Sequence, residues 1–118
     1  MAKLNVNILG MEFNNPIFTA AGPGAKDGDL CVKAVEGGAG GLVTKTISVD
    51  PAPVPRPCMA KTNSGFLNTE LWSELPKEQW IEKEYKRAKS AGVPMIVSMG
   101  YKAEDIEKIA PLVKPYAE

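Results

Sequence analysis

The sequence contains no histidine and only two cysteines in 118 residues. A His-based catalytic triad is therefore excluded, as are the zinc sites built from clusters of histidine and cysteine. Cys31 and Cys58 lie far apart without C-x-x-C spacing, which favours two reduced thiols over a disulfide or a redox motif. The sequence thus predicts no metal site.

An excess of either charge is also lacking, because fourteen Lys and Arg balance fourteen Asp and Glu without a block of one sign. Proteins that bind nucleic acid or anionic membranes usually carry a basic excess. The chain has neither the apolar core of a signal peptide nor a run near the ~20 residues of a membrane span. We therefore expect a cytoplasmic protein that binds a small molecule, with no nucleic acid or membrane partner.

What the sequence does contain is an alternation of strand and helix patterns. Residues LNVNILGMEF alternate apolar and polar around Leu9-Gly10, as in a small hairpin. Three short apolar runs follow, IFTAA, GLVTK and VPMIVSM, and each precedes a helical pattern, the first beginning near Asp27 and ending at Gly37-Gly38. The order hairpin, then β-α-β-α-β-α, predicts a parallel sheet with right-handed crossovers. A doubly wound sheet and a barrel both fit this order.

In both architectures, ligands bind beyond the carboxyl ends of the strands. The first such loop, GPGAKDG, has Asp27 where the dinucleotide fingerprint needs its third glycine, so dinucleotide binding is the weaker alternative. Gly22 and Gly24 fit a tight turn with positive φ, but small residues there also suit a flat cofactor. The second loop is long and contains TNSGFLNTELW, a composition typical of a cover over a planar ligand.

The strand pattern GLVTK ends on Lys45, so a strand predicted to be buried finishes on an amine. A solvated strand end and a ligand contact both remain open from the residues alone.

The segments LNVNILGMEFNNPIFTAAG, GAGGLVTKTIS and SGFLNT, in this order and spacing, resemble the N-terminal portion of the dihydroorotate dehydrogenase family, which includes the related barrel of dihydropyrimidine dehydrogenase. The resemblance covers nearly the whole chain. It implies a (β/α)8 TIM barrel, of which residues 1–118 would form the N-terminal hairpin and the first three βα units. It also implies FMN at the carboxyl ends of the strands and hydride transfer with a small ring of the dihydropyrimidine type.

The resemblance assigns flavin contacts to six positions that follow the three strands: Ala20, Ala21, Gly22, Lys45, Thr46 and Ser98. It assigns substrate contacts to Lys45 and Asn68. The Lys45 ammonium would stabilise negative charge that develops during hydride transfer, and the glycines before it would let the preceding helix pack closely on the barrel. No catalytic residue is implied in this chain, because the family's catalytic cysteine or serine follows the fourth strand.

The resemblance therefore implies that this chain is inactive alone. We expect it to self-associate or to pair with the remaining half of the barrel, because three parallel strands leave two open edges. A non-catalytic half-barrel or assembly module that binds no cofactor is the alternative, and bound FMN would distinguish the two.

Overall fold

The computed structural model describes residues 3–117 and begins with the predicted hairpin. Strands β1 (Val6–Ile8) and β2 (Met11–Phe13) pair antiparallel. Leu9 and Gly10 between them both have positive φ. Two such residues make the tight turn whose twist matches that of hairpin strands.

The elements that follow confirm the three predicted helices and two of the three predicted parallel strands, in the predicted order. In chain order they are α1 (Gly28–Glu36), β3 (Leu42–Val43), β4 (Met59–Thr62), β5 (Gly65–Asn68), α2 (Lys77–Gln79), a π-helical turn (Trp80–Glu84), α3 (Tyr85–Lys89), β6 (Met95–Ile96), α4 (Ala103–Val113) and a 3-10 turn (Lys114–Tyr116). Residues 77–89 form one continuous helical stretch. Between residues 3 and 117 no helix is long and apolar enough to cross a lipid bilayer.

The ends of α1 follow directly from the sequence. The Asp27 carboxylate accepts a hydrogen bond from the Leu30 backbone N–H at 2.8 Å, which satisfies one of the free amides of the first turn. Gly38, just past the last turn, has a φ of +103°, a left-handed conformation that favours glycine. Both predicted helix boundaries are therefore confirmed.

The parallel sheet is smaller than the three strands that the sequence predicts. Strand β3 pairs with β6 in parallel, but the run IFTAA contributes only a single parallel bridge, from Phe18 to Gly41. The Thr19 hydroxyl bonds both the N–H and the C=O of Val43, each at 2.8 Å, and so replaces a backbone partner there. The described residues, 3–117, form an α/β layer arrangement and not a closed barrel.

The core lies between this small sheet and the helices. Its fully buried residues come from β3, α1, the helical stretch 77–89, β6 and α4, and include Leu42, Cys31, Trp80, Tyr85, Met95, Ile109 and Val113. Burying large apolar side chains on one face of the sheet fixes the helices there and leaves the strand ends free for ligands.

The glycines before β3 do permit a close approach, but not by the helix predicted from the sequence. A Cβ atom on Gly40 would lie 2.8 Å from the Asn15 backbone nitrogen, and one on Gly41 would meet the Phe18 and Phe13 rings. The segment after the hairpin therefore packs on these glycines. Helix α1 instead approaches α3, where a Cβ on Gly28 would lie 2.6 Å from the Arg87 Cβ.

We expect Gly40→Ala to lower the free energy of unfolding by about 1 to 3 kcal/mol, because the new methyl group would press on backbone atoms that cannot rotate away. Gly24→Ala is the matched control, since a Cβ there meets nothing within 4 Å. Denaturant unfolding of both variants measures the difference. Equal stability of the two variants would contradict the close approach.

The buried Cys31 thiol predicts how the stability of the fold depends on pH. Burial, together with the nearby carboxylates of Asp27 and Glu84, raises the pKa of the Cys31 thiol from 9.0 to about 11. Above pH 9 the unfolded chain loses this proton while the folded chain keeps it, so stability should fall between pH 9 and 11, by up to about 2 kcal/mol. In Cys31→Ala this part of the slope should vanish, whereas Cys58→Ala should retain it. Identical slopes in both variants would contradict the assignment.

Candidate active site

The strand that carries Lys45 changes register just after β3. Val43 pairs with Ile96, but the next bridge joins Ile47 to Met99, so one strand advances by four residues while its partner advances by three. One extra residue on one strand of a pair is a β-bulge, which bends the strand and redirects its side chains. The bulge takes the Thr46 backbone out of the ladder, because the Ile47 N–H donates to the Ser98 carbonyl in its place.

Three hydrogen bonds from residues 44–46 to neighbouring loops hold these loops together at the bulge. The Lys45 N–H donates to the Ala25 carbonyl at 3.0 Å, and the Thr46 carbonyl accepts from the Ser73 N–H at 2.8 Å. The Thr44 hydroxyl accepts from the Ser98 N–H at 3.3 Å. The first loop, the long second loop and the end of β6 are thereby fixed to one point.

The first loop does not form the tight turn with positive φ that the sequence predicts. Neither Gly22 nor Gly24 has positive φ, so the glycines are not needed for a left-handed turn. Residues Pro23–Ala25 form a short 3-10 turn, in which the Ala25 N–H donates to the Gly22 carbonyl at 3.1 Å. A Cβ on Gly22 would meet nothing within 4 Å, so open space lies beside this turn.

Hydrogen bonds at the carboxyl end of the sheet link four of the six predicted cofactor-contacting positions, Gly22, Lys45, Thr46 and Ser98. Thr46 and Ser98 join their hydroxyls at 2.8 Å across the two strands, and either oxygen could be the donor. The turn at Gly22 reaches the Lys45 backbone through Ala25. Ala20, Ala21, Gly22, Lys45, Thr46 and Ser98 all follow segments that run parallel and side by side.

Lys45 is not a solvated strand end. The residue is only 6% exposed, and its Nζ lies 3.2 Å from the Glu70 carboxylate, whose side chain is 15% exposed. The Glu70 N–H donates to the Asn68 side-chain oxygen at 2.8 Å, which fixes the turn that presents the carboxylate. The alternative of a water-exposed lysine is therefore wrong, and the amine belongs to a buried ion pair.

Strands β4 and β5 turn the long second loop into an exposed antiparallel hairpin, which the sequence analysis did not predict. Every residue of both strands is exposed, including Phe66 and Leu67 at 65% and 60%. Asn68 ends β5 and is itself exposed; it lies two residues from Glu70. Its predicted contact with substrate stays a prediction. Beyond the hairpin, the Trp72 and Tyr101 rings are in contact, with centroids 4.4 Å apart and planes tilted by 53°.

A cavity of about 180 Å³ opens beside the Lys45–Glu70 ion pair. Its lining residues are Lys26, Asp27, Lys45, Val54, Glu70, Trp72, Ser73, Glu74 and Leu75. Glu70 and Ser73 were missed by sequence reasoning. The only signal for Glu70 was one acidic residue in NTELW, and its pairing across 25 residues leaves no pattern in the sequence.

Two other kinds of site find no support at this edge. Asp27 directs its carboxylate at the start of α1, where a dinucleotide phosphate would have to bind. Within the described part of the chain, no three His, Cys, Asp or Glu side chains come together as metal ligands would.

Comparison with known proteins gives one family over the length of the chain. A model of the family described as dihydroorotate dehydrogenase matches residues 3–118. The chain is similar to the dihydroorotate dehydrogenase B (NAD(+)) catalytic subunit of Thermococcus kodakarensis, with 35% identity over 84% of this chain and 32% of that protein. The corresponding subunit of Methanosarcina mazei is 44% identical over 81% of this chain and 31% of its own length.

A relative whose name gives fumarate in place of NAD(+) also matches. Dihydroorotate dehydrogenase A (fumarate) of Lactiplantibacillus plantarum is 38% identical over 58% of this chain and 23% of its own length. The chain thus spans about a third or less of the curated relatives that it matches.

Proposed function

The chain belongs to the dihydroorotate dehydrogenase family, and we propose that it is the N-terminal part of an FMN-dependent oxidoreductase with a (β/α)8 barrel. The observation that carries this proposal is the buried Lys45 amine at the bulged carboxyl end of β3. In parallel α/β folds, ligands bind at that end of the strands. Relatives named as dihydroorotate dehydrogenases support the same reaction class.

The residues at this edge fit a flavin ring. A Cβ on Gly22 would meet nothing within 4 Å, so there is open space beside this turn that suits a planar ring. The hydroxyls of Thr46 and Ser98 can donate to ring carbonyls or accept from a ring N–H. The Lys45 ammonium supplies a fixed positive charge in a site with little water.

FMN, when bound, supplies the chemistry of hydride transfer to or from a carbon atom of the substrate ring. The residues of this chain would bind and orient the flavin and the substrate ring, and would stabilise the charge that develops. Lys45 would stabilise negative charge that develops during transfer, and the bulge holds its backbone so that little reorganisation is needed. We propose a ring of the dihydropyrimidine type as substrate, with the catalytic acid or base supplied from outside these residues, so that the chain alone is inactive.

An assembly module without cofactor is the second candidate function, and exposed apolar residues favour it. Ile17 beside the sheet is 64% exposed, while Val43 and Ile96 in the paired strands are only half-buried. A second copy or the remaining barrel strands would cover them. Flavin titration of this chain, and of the protein with the further strands, distinguishes the candidates: the oxidoreductase predicts bound FMN in the longer protein, and the module predicts none in either.

Removal of the amine should slow flavin reduction more than it lowers stability. In the FMN-loaded protein we expect Lys45→Ala to lower the reduction rate by about 10² to 10³, as for the loss of one electrostatic donor in other sites. Lys45→Arg keeps the charge and should recover part of the rate. Stopped-flow absorbance measures reduction, with the exposed Lys33→Ala on α1 as control. An unchanged rate in Lys45→Ala with FMN fully bound would contradict the role.

Asn68 should act on the substrate and not on the flavin. We expect Asn68→Ala to reduce turnover at low substrate concentration by about tenfold while FMN occupancy stays nearly unchanged, because a lost amide contact costs about 1 to 2 kcal/mol. Steady-state kinetics and flavin absorbance measure the two effects. Since the Asn68 oxygen also accepts the Glu70 N–H, Asn68→Asp, which keeps that acceptor, is the control for loop structure. Loss of flavin with retained substrate binding would contradict this placement.

A further inference from the structure

We propose that Glu84, a buried carboxylate on the helical stretch 77–89, is a positioning residue for the cofactor: it holds the first loop, GPGAKDG, in the shape that receives FMN. The inference rests on the proposed function, because it concerns how that same site is built. Glu84 acts through other residues, namely the start of α1 and the Lys45 backbone. It therefore adds to the site a residue that sequence patterns and strand ends do not indicate.

Glu84 is buried and has fixed polar partners. The residue is only 3% exposed and ends the π-helical turn Trp80–Glu84. Its Oε2 atom accepts the Gly28 N–H at 2.8 Å, and its Oε1 atom accepts from the Gln79 side chain at 2.9 Å. The Lys83 Nζ lies farther away, at 3.7 Å, on a side chain that is 70% exposed. Because N–H groups hold both carboxylate oxygens, rotation of the side chain would break a buried hydrogen bond.

Packing alone does not explain a carboxylate at this position. Burying a charged group costs free energy, and an apolar side chain of similar size would fill the same space. The carboxylate adds an acceptor for a free amide at the N-terminus of α1, where negative charge is favourable. The Asp27 carboxylate accepts another of these amides, from Leu30, but Asp27 belongs to the same helix end. Glu84 instead ties the start of α1 to an element 56 residues away.

The start of α1 cannot shift in either direction along this contact. A Cβ atom on Gly28 would lie 2.7 Å from the Glu84 carbonyl oxygen and 2.6 Å from the Arg87 Cβ, so the two helices already touch. Movement of Gly28 away from the helical stretch would break its hydrogen bond to Glu84. The position of Gly28 is therefore fixed by contact on one side and by the hydrogen bond on the other.

From Gly28 the constraint reaches the strand end through the first loop. Ala25, three residues before Gly28, is fully buried, and its N–H donates to the Gly22 carbonyl at 3.1 Å. The Ala25 carbonyl accepts the Lys45 N–H at 3.0 Å. A short loop that is held at three points has few other conformations to adopt. The open space beside Gly22 and the position of the Lys45 backbone therefore both depend on Glu84.

The test measures FMN binding by the protein with the further barrel strands, as the parent and as Glu84→Met and Glu84→Gln. Methionine keeps the volume of the side chain but is only a weak acceptor, whereas glutamine keeps an oxygen that can accept the Gly28 N–H. We expect Glu84→Met to raise the FMN dissociation constant by about tenfold or more, and Glu84→Gln by less than about threefold. Flavin fluorescence titration measures both constants.

The reduction potential of bound FMN distinguishes positioning from a loss of stability. Lys45 is proposed to stabilise the negative charge that develops on reduction, so a displaced Lys45 should make the potential more negative. We expect this shift in Glu84→Met, and a potential near that of the parent in Glu84→Gln. The matched control is Arg87→Met, which removes the exposed bond from Arg87 to Asp29 that also joins the two helices. It should change neither the dissociation constant nor the potential.

A Glu84→Met variant with the parent's potential would overturn the proposal, whatever its affinity for FMN. An equal loss of FMN in Glu84→Gln or in Arg87→Met would overturn it as well. If Glu84→Met does not fold, hydrogen exchange of the FMN-free parent tests the same bond: we expect a protected Gly28 amide, and rapid exchange would overturn the proposal. A parent protein that binds no FMN would instead overturn the proposed function.

Discussion

The backbone from Thr44 to Ile47, at the bulge after β3, is the constraint on which the candidate site depends. The Leu42 and Thr44 N–H groups bond the strand of β6, so the Lys45 N–H points to the opposite side, where it donates to the Ala25 carbonyl of the first loop. The bulge frees the Thr46 carbonyl for the Ser73 N–H, because Ile47 takes the ladder position beside Ser98. The Thr44 hydroxyl accepts from the Ser98 N–H. These bonds together position three loops around one short segment.

The buried ion pair beside this bulge is better explained by function than by stability. Desolvation of two charges often cancels their attraction, so a buried pair such as Lys45–Glu70 contributes little net stability. Apolar residues of similar size would serve a purely structural role as well. A donor and an acceptor held side by side in a cavity do, however, suit a polar ring.

Local signals in the sequence predict much of the fold. The hairpin follows from Leu9-Gly10, the start of α1 from Asp27 and its end from Gly38, because each depends on neighbouring residues only. The exposed hairpin of β4 and β5 was missed, since neither face is buried and no alternating apolar pattern results. The contacts of Gly40 and Gly41 were assigned to the wrong partner, because their partners lie more than twenty residues away in the sequence.

The candidate site was predictable only in part and mostly from family resemblance. Lys45, Thr46 and Ser98 were expected at the carboxyl ends of strands, and the structure brings them to one edge. The bulge could not be foreseen, because a change of register depends on how two strands pair. Glu70 could not be foreseen either, because its pairing with Lys45 arises from the path of the long loop.

The most direct measurement is a crystal structure of the protein with FMN bound. The account predicts the flavin ring beside Ala21 and Gly22, with the Lys45 Nζ within about 3.2 Å of the ring edge while the Glu70 carboxylate remains its second partner. A ring bound elsewhere on the molecule, or a Lys45 amine that contacts Glu70 alone and lies far from the flavin, would contradict it.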